Sequence, residues 1–248
     1  MDRPKSLNAI SRTAQWEMDS VWKWFDPEPL LSVAIITGTG RAFSAGADLK
    51  EWNDSMSNDA DRRHRMGNSP AFKPLSRRHG KKPVIAAVNG LAMGAGCEFV
   101  VNCDLVIATE DAYFGLPEIK RGIAAIGGAL PRLIRIIGLQ RASEFALTGR
   151  NATAQDMYQW GIVNKVVPKE QLLYEAIKYA EMIARNSPDA IICTRAGLRQ
   201  GWETASVERA VELTLETEFE DLLRGDNTLE GLTAFTEKRE PKWRASKL

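Results

Sequence analysis

Apolar positions in the first two thirds of the chain fall in short continuous runs separated by glycine-bearing turns; in the last third they recur every three or four residues. The first pattern reads as buried strands and the second as amphipathic helices. Ile10, Ala14, Met18, Val21, Trp22 and Phe25 lie near one helical face, and Asp26-Pro27-Glu28-Pro29 stops that helix because proline cannot continue it. Leu30 to Ile36 then forms an unbroken apolar run suited to a strand covered on both faces, and Thr37-Gly38-Thr39-Gly40 turns the chain. Similar runs return at Pro83 to Val88, Asp104 to Ala108 and Ile162 to Val167. Strand, turn and short helix thus recur, which predicts an α/β fold of stacked, winding layers. Leu130 to Ile137 and Gln140 to Thr148 read as two helices, and Thr153-Ala154-Gln155-Asp156 as a capping box with Asp in the place of Glu. Beyond Pro168 only helices are predicted. One runs to about Arg185, Ser187-Pro188 starts the next, and Glu203 to Arg224 carries Val207, Val211, Leu215, Phe219 and Leu222 at helical spacing. Leu229, Leu232 and Phe235 follow. Residues 1–186 are expected to form the core and 187–248 a helical region packed on that core or on another subunit.

The turns carry the candidate chemistry. After the run ending at Val88, Asn89-Gly90 turns the chain and Met93-Gly94-Ala95-Gly96-Cys97-Glu98 opens a helix on small residues. Bare N–H groups at such a start attract negative charge. Glu98 stands three residues past Ala95, on the same helical face, with Phe99-Val100-Val101 behind it. A carboxylate among apolar residues is costly unless it is used. Ala112 to Glu118 reads as a rigid turn in which Pro117 directs a second carboxylate, and the alternative for Glu118 is an ordinary surface acid. The small residues from Arg41 to Lys50 let a ligand approach the backbone, and Gly46 permits an unusual turn there. Ser44 has Gly46 two residues after it but Ala42 two residues before it, so the nucleophile-elbow pattern fails, and Gly38-Thr39-Gly40 lacks the third glycine of a dinucleotide fingerprint.

Composition narrows these readings. With 248 residues, 44% hydrophobic and 26% charged, the chain can bury a substantial core, and a net charge of +1 gives no general attraction to nucleic acid or anionic membrane. The basic clusters at Arg62-Arg63 and Arg77-Arg78-His79-Gly80-Lys81-Lys82 are expected to be solvated faces, or a rim near an anionic ligand. His64 and His79 are the two histidines, a thin supply for a His-dependent triad. Cys97, Cys103 and Cys193 lack metal-ligand spacing and read as reduced core residues of an intracellular protein. No membrane span or signal peptide is expected. Ser246-Lys247-Leu248 matches the tripeptide read by the peroxisomal import receptor, so the expected location is the peroxisome.

Four stretches together, Arg41 to Lys50, Pro83 to Glu98, Phe114 to Gly122 and Glu230 to Arg239, resemble the crotonase, or enoyl-CoA hydratase/isomerase, family over nearly the whole chain. The resemblance implies a spiral of ββα repeats with a C-terminal helical region that builds trimers or pairs of trimers. It implies an acyl-coenzyme A thioester as substrate, with coenzyme A part of that substrate, and neither metal nor redox cofactor. By position, the oxyanion-binding N–H groups fall on Ala47 and Ala95. Ala45, Gly46, Ala47, Asp48, Leu49 and Ala95 fall on the coenzyme A-binding stretch. Glu98 takes the part of the base on water and Glu118 that of the acid at the α-carbon. The implied reaction is hydration of a 2-trans-enoyl-CoA to the 3-hydroxyacyl-CoA in fatty-acid or related metabolism. Alternatives are a Δ3,Δ2-enoyl-CoA isomerase of the same family, which needs one acid/base group, and a non-catalytic scaffold or RNA-binding relative.

Three departures from the family pattern accompany this resemblance. Ala95 replaces the middle glycine of the usual triple-glycine run, so its methyl group is expected to narrow the acyl pocket. Ile123-Ala124-Ala125-Ile126 replaces a Pro-Gly-bearing loop beside that pocket. The sequence opens at Arg3 to Ala9, the segment that in the family follows an initial strand pair, and that pair is expected to be absent.

Overall fold

The computed structural model describes residues 1–56 and 73–248. The basic cluster around Arg62-Arg63 and the histidine His64 lie outside them. Among the described residues, eight strands form two four-stranded sheets: β1 (Ala34–Thr37), β2 (Ala42–Ser44), β3 (Val84–Val88), β4 (Leu91–Met93), β5 (Leu105–Thr109), β6 (Tyr113–Gly115), β7 (Asn151–Thr153) and β8 (Lys165–Val167). One sheet has the order β1-β3-β5-β8 and the other β2-β4-β6-β7. Successive strand pairs along the chain therefore give one strand to each sheet, the winding expected of ββα repeats. Parallel pairing joins β3 to β5 and β5 to β8, and likewise β2 to β4 and β4 to β6, while β7 closes its sheet antiparallel to β6. Every residue of β3 is buried, as an all-apolar strand in a covered parallel sheet requires.

Helices fill the connections. They are α1 (Arg12–Phe25), α2 (Leu49–Met56), α3 (Lys73–Ser76), α4 (Ala95–Asn102), α5 (Ala129–Thr148) and α6 (Ala154–Gln159), followed by α7 (Leu172–Ala184), α8 (Pro188–Glu203), α9 (Val207–Thr214), α10 (Glu220–Arg224) and α11 (Asp226–Thr236). The two helices anticipated before Thr148 are one run broken at Gly138, whose φ of 78° is non-helical. The capping box at Thr153 and Asp156 is present, and the Ser187 side chain accepts from the Ala190 N–H at the start of α8.

Two local expectations are corrected. The run from Leu30 does not form a strand until Ala34, and Leu30 is 86% exposed. Its N-terminal half follows the proline-rich turn and pairs with nothing in the sheets. Arg78 and Lys82 are not solvated either. The Arg78 guanidinium lies 5.1 Å from the centre of the Trp22 ring, and buried Lys82 donates to the carbonyls of Phe25 and Glu28. Their long stems pack while their charge finds rings and carbonyls, a behaviour that charge runs in sequence do not reveal. Cys97 and Cys193 are buried and all three cysteines are free thiols.

The chain divides into two compact units. One comprises Met1–Lys23, Ile35–His79 and Ile85–Ala176, and the other Trp24–Ala34, Gly80–Val84 and Ile177–Leu248. Within the first unit, two asparagines hold the loop that precedes the site. Buried Asn8 donates to the carbonyls of Thr39 and Ala42 and accepts from the Arg3 N–H. Asn89 donates to the carbonyls of Gly40 and Ala42 and accepts from the Gly38 N–H. Both side chains replace backbone partners that a tight turn cannot supply. Within the second unit, Asp189 and Asn227 form a buried pair, and Asn227 also donates to the Arg244 carbonyl, fastening the C-terminal segment to α8 and α11.

Candidate active site

The loop after β2 and the start of α4 approach each other closely. A Cβ on Gly46 would fall 2.7 Å from the Met93 carbonyl and 3.2 Å from the Ala95 nitrogen, and its φ is +88°, so only glycine fits this contact. Buried Ser44 fixes the loop, donating to the Asn8 carbonyl and accepting from the Gly46 N–H. Its hydroxyl is thus a clamp, consistent with the failed nucleophile pattern. The bridge between Ile10 and Ala47 uses the Gly46 carbonyl and the Asp48 N–H, which leaves the Ala47 N–H turned the other way. Ala95 is the first residue of α4, where an N–H has no intrahelical partner. Neither N–H has an acceptor among the described residues.

Ala47 and Ala95 line a cavity of about 380 Å³ together with Ala45, Leu49, Trp52, Leu91, Met93, Gly94, Glu98, Pro117 and Glu118, and with residues of the 120–126 and 149–151 segments. Gly46 supports this wall from behind and is not on it. Asp48 also lies off the wall, where it forms an ion pair with Arg3 at 3.3 Å. The other residues anticipated from sequence, Ala45, Ala47, Leu49, Ala95, Glu98 and Glu118, are brought together in one cavity.

The two carboxylates come from different repeats. Glu98 projects from the first turn of α4, 3% exposed, and accepts from the Ala129 N–H at 3.3 Å. A Cβ on Gly127 would overlap its carboxylate, so the glycines before α5 make room for it. Glu118 sits in the short 3-10 turn Pro117–Arg121, whose first proline presets the backbone. A Cβ on Gly94 would lie 3.0 Å from Glu118 Oε1, and Glu118 Oε2 is buried without a hydrogen-bond partner among the described residues. Burial pushes the Glu98 carboxyl up to about 7, the nearby Glu118 charge adds to the rise, and N–H groups of residues 127–129 oppose it. Glu118 is raised as well, chiefly by burial, against its own N–H and the Arg121 charge. Two acids that disfavour ionisation together hold a proton between them near neutral pH.

An acid, a base and two free N–H donors on one largely apolar wall can hold a carbonyl, stabilise charge developing on its oxygen and move a proton at a neighbouring carbon. The chain matches the enoyl-CoA hydratase/isomerase family over residues 1–246. It belongs to that family. Among curated relatives, it is 50% identical to a mevalonyl-coenzyme A hydratase of Aspergillus fumigatus, covering all of this chain and 91% of that one. A second mevalonyl-coenzyme A hydratase, from Beauveria bassiana, is 46% identical with the same coverage. The crystal structure of an enoyl-CoA hydratase from Bacillus anthracis superposes with a TM-score of 0.87 at 34% identity, covering 98% of this chain and 93% of that one. This member of the enoyl-CoA hydratase/isomerase family is therefore an acyl-CoA hydratase with a crotonase-type α/β fold.

Sequence reasoning did not single out several wall residues of this hydratase. Trp52 follows Leu49 by three residues in α2, so helical spacing was a usable signal. Leu91 and Asn151 reach the cavity through cross-strand pairing, for which the sequence holds no local signal.

Glu98 also ties stability to pH. Its carboxyl titrates near 4.5 when unfolded and near 7 when folded, so the folded chain binds more protons between these values. Stability therefore falls as pH rises through this window and levels off above it. Glu98→Gln removes the effect. In urea unfolding, the stability of the variant relative to the unmodified protein is expected to rise by on the order of 1–3 kcal/mol from pH 5 to pH 8. A difference that does not change with pH would show that the Glu98 carboxyl is not raised.

Proposed function

We propose that this hydratase adds and removes water across the C2–C3 bond of a short, 3-methyl-branched enoyl-CoA whose hydrated form is mevalonyl-CoA. The observation that carries the reaction is that Glu98 and Glu118 line one cavity with two N–H groups that have no acceptor among the described residues. The substrate choice is supported by full-length similarity to two fungal proteins named for mevalonyl-coenzyme A.

The thioester oxygen accepts from the N–H groups of Ala47 and Ala95. Ionised Glu98 takes a proton from water as its oxygen bonds to C3, and the C2–C3 electron pair moves into the thioester as an enolate. Protonated Glu118 then delivers its proton to C2, and the carbonyl re-forms. Glu98 ends protonated and Glu118 ionised, and a proton passing back between them or through solvent restores the start. In dehydration every step reverses, with Glu118 removing the C2 proton and Glu98 protonating the departing hydroxyl. The reaction uses the protein's own groups, and coenzyme A enters it only as part of the substrate. An isomerase would need one acid, and the second raised carboxyl on the same wall favours hydration over that alternative.

Glu98→Gln and Glu118→Gln are each expected to lower kcat by about 10²- to 10⁴-fold. The assay follows the enoyl-thioester absorbance with 5-hydroxy-3-methyl-2-pentenoyl-CoA and with crotonyl-CoA. Undiminished turnover in both variants would sink the two-acid mechanism. Preference for linear 2-trans-enoyl thioesters would return the substrate to the fatty-acid class expected from the sequence.

A homotrimer, alone or paired, is the assembly this reading carries. It is supported by apolar side chains left exposed on the helices of the second unit, Val207, Leu229, Leu232 and Phe235, the last 84% exposed. Light scattering should give about three or six chain masses, and a monomer at micromolar concentration would reject it. Import into peroxisomes rests on Ser246-Lys247-Leu248 alone. A fluorescent protein fused ahead of the chain is expected in peroxisomes, and in the cytosol once Leu248 is deleted. Import unaffected by that deletion would reject the signal.

A further inference from the structure

Lys120, Arg121 and Asn151 bring polar side chains to the cavity wall that have no part in the water addition, and of these Asn151 is uncharged. Asn151 opens β7, and antiparallel pairing sets it directly opposite Gly115, which in turn pairs with Met93 in β4. Met93, Gly115 and Asn151 thus form one row across three strands. A Cβ on Gly115 would fall 2.7 Å from Met93 Sδ and 3.0 Å from Asn151 Oδ1, so the two side chains converge over the bare glycine. Both line the cavity that holds Glu98 and Glu118. The Asn151 carboxamide makes no hydrogen bond to any described residue, and apolar Leu91, Met93 and Ile123 share its wall.

We propose that the Asn151 carboxamide binds the primary hydroxyl at the fifth carbon of the acyl chain and so selects a hydroxylated short acyl group over its alkyl analogue. The inference rests on the substrate read above and names the group that recognises its far end. Chemistry supports it. A hydroxyl both donates and accepts, and a carboxamide offers an acceptor at Oδ1 and donors at Nδ2, without a charge that would favour an acidic chain end.

The test compares kcat/KM for 5-hydroxy-3-methyl-2-pentenoyl-CoA with kcat/KM for 3-methyl-2-pentenoyl-CoA, which differs only in the missing hydroxyl. In the unmodified protein the ratio favours the hydroxylated thioester. In Asn151→Ala and Asn151→Leu it is expected to fall roughly three- to tenfold, the scale of one partly solvated hydrogen bond. An unchanged ratio in both variants, or equal losses on both thioesters, would overturn the role of Asn151 and leave the substrate reading standing. If the unmodified protein hydrates crotonyl-CoA but neither branched thioester, the substrate reading itself fails and this inference with it.

Discussion

A buried carboxylate, Glu98, and a half-buried one near it, Glu118, set the terms for the rest of this structure. Burying either acid is unfavourable for its ionised form, and the Glu118 charge makes Glu98 harder still to ionise. The fold meets this cost locally, with N–H groups of residues 127–129 directed at Glu98 and the Arg121 charge near Glu118. The compensation is incomplete. What remains is a pair poised to keep one proton near neutrality, the state in which one member can act as base while the other acts as acid.

Glycine positions follow from that pair more than from turn-making in general. Gly127 leaves the volume that the Glu98 carboxylate fills, Gly94 leaves the approach to Glu118, and Gly46 brings one donor loop against the other. A side chain at any of them would push apart groups that must meet. Behind them, Asn8, Ser44 and Asn89 tie three segments of backbone with buried hydrogen bonds, so the donor loop is held from its non-reacting side. Preorganisation of this kind lets the N–H groups stabilise charge without first rearranging.

The repeat architecture and the principal acids were legible in the sequence because each has a local signature. Short apolar runs between glycines give the strands, and Glu98 stands out as a charge three residues into an otherwise apolar helix start. What escaped was set by pairing at a distance. Arg78 and Lys82 look like a solvated cluster until the Trp22 ring and the Phe25 and Glu28 carbonyls are in place. Leu30 looks like strand because apolar runs carry no mark of where a ladder begins. Asn151 was invisible for the same reason, since its meaning depends on facing a glycine 36 positions away across a sheet.

That division between local and distant signals also separates chemistry from selectivity. The acids and donors belong to elements locked by core packing, and α4 is buried over its whole length. The wall that would meet the acyl group is drawn instead from the segment beyond Glu118 and from the start of β7, where Ile126 and Asn151 are exposed. Replacing an exposed, unpartnered side chain costs little stability, whereas replacing Glu98 or its glycine neighbours disturbs a packed interior. Substrate preference can therefore shift through Ile123, Ala124, Ile126 and Asn151 while the hydration machinery stays intact. The Ala95 methyl is the exception, because it lines the cavity on the same residue whose N–H is free at the start of α4: under the proposed mechanism, the shape of the acyl pocket and the stabilisation of the enolate would change together there.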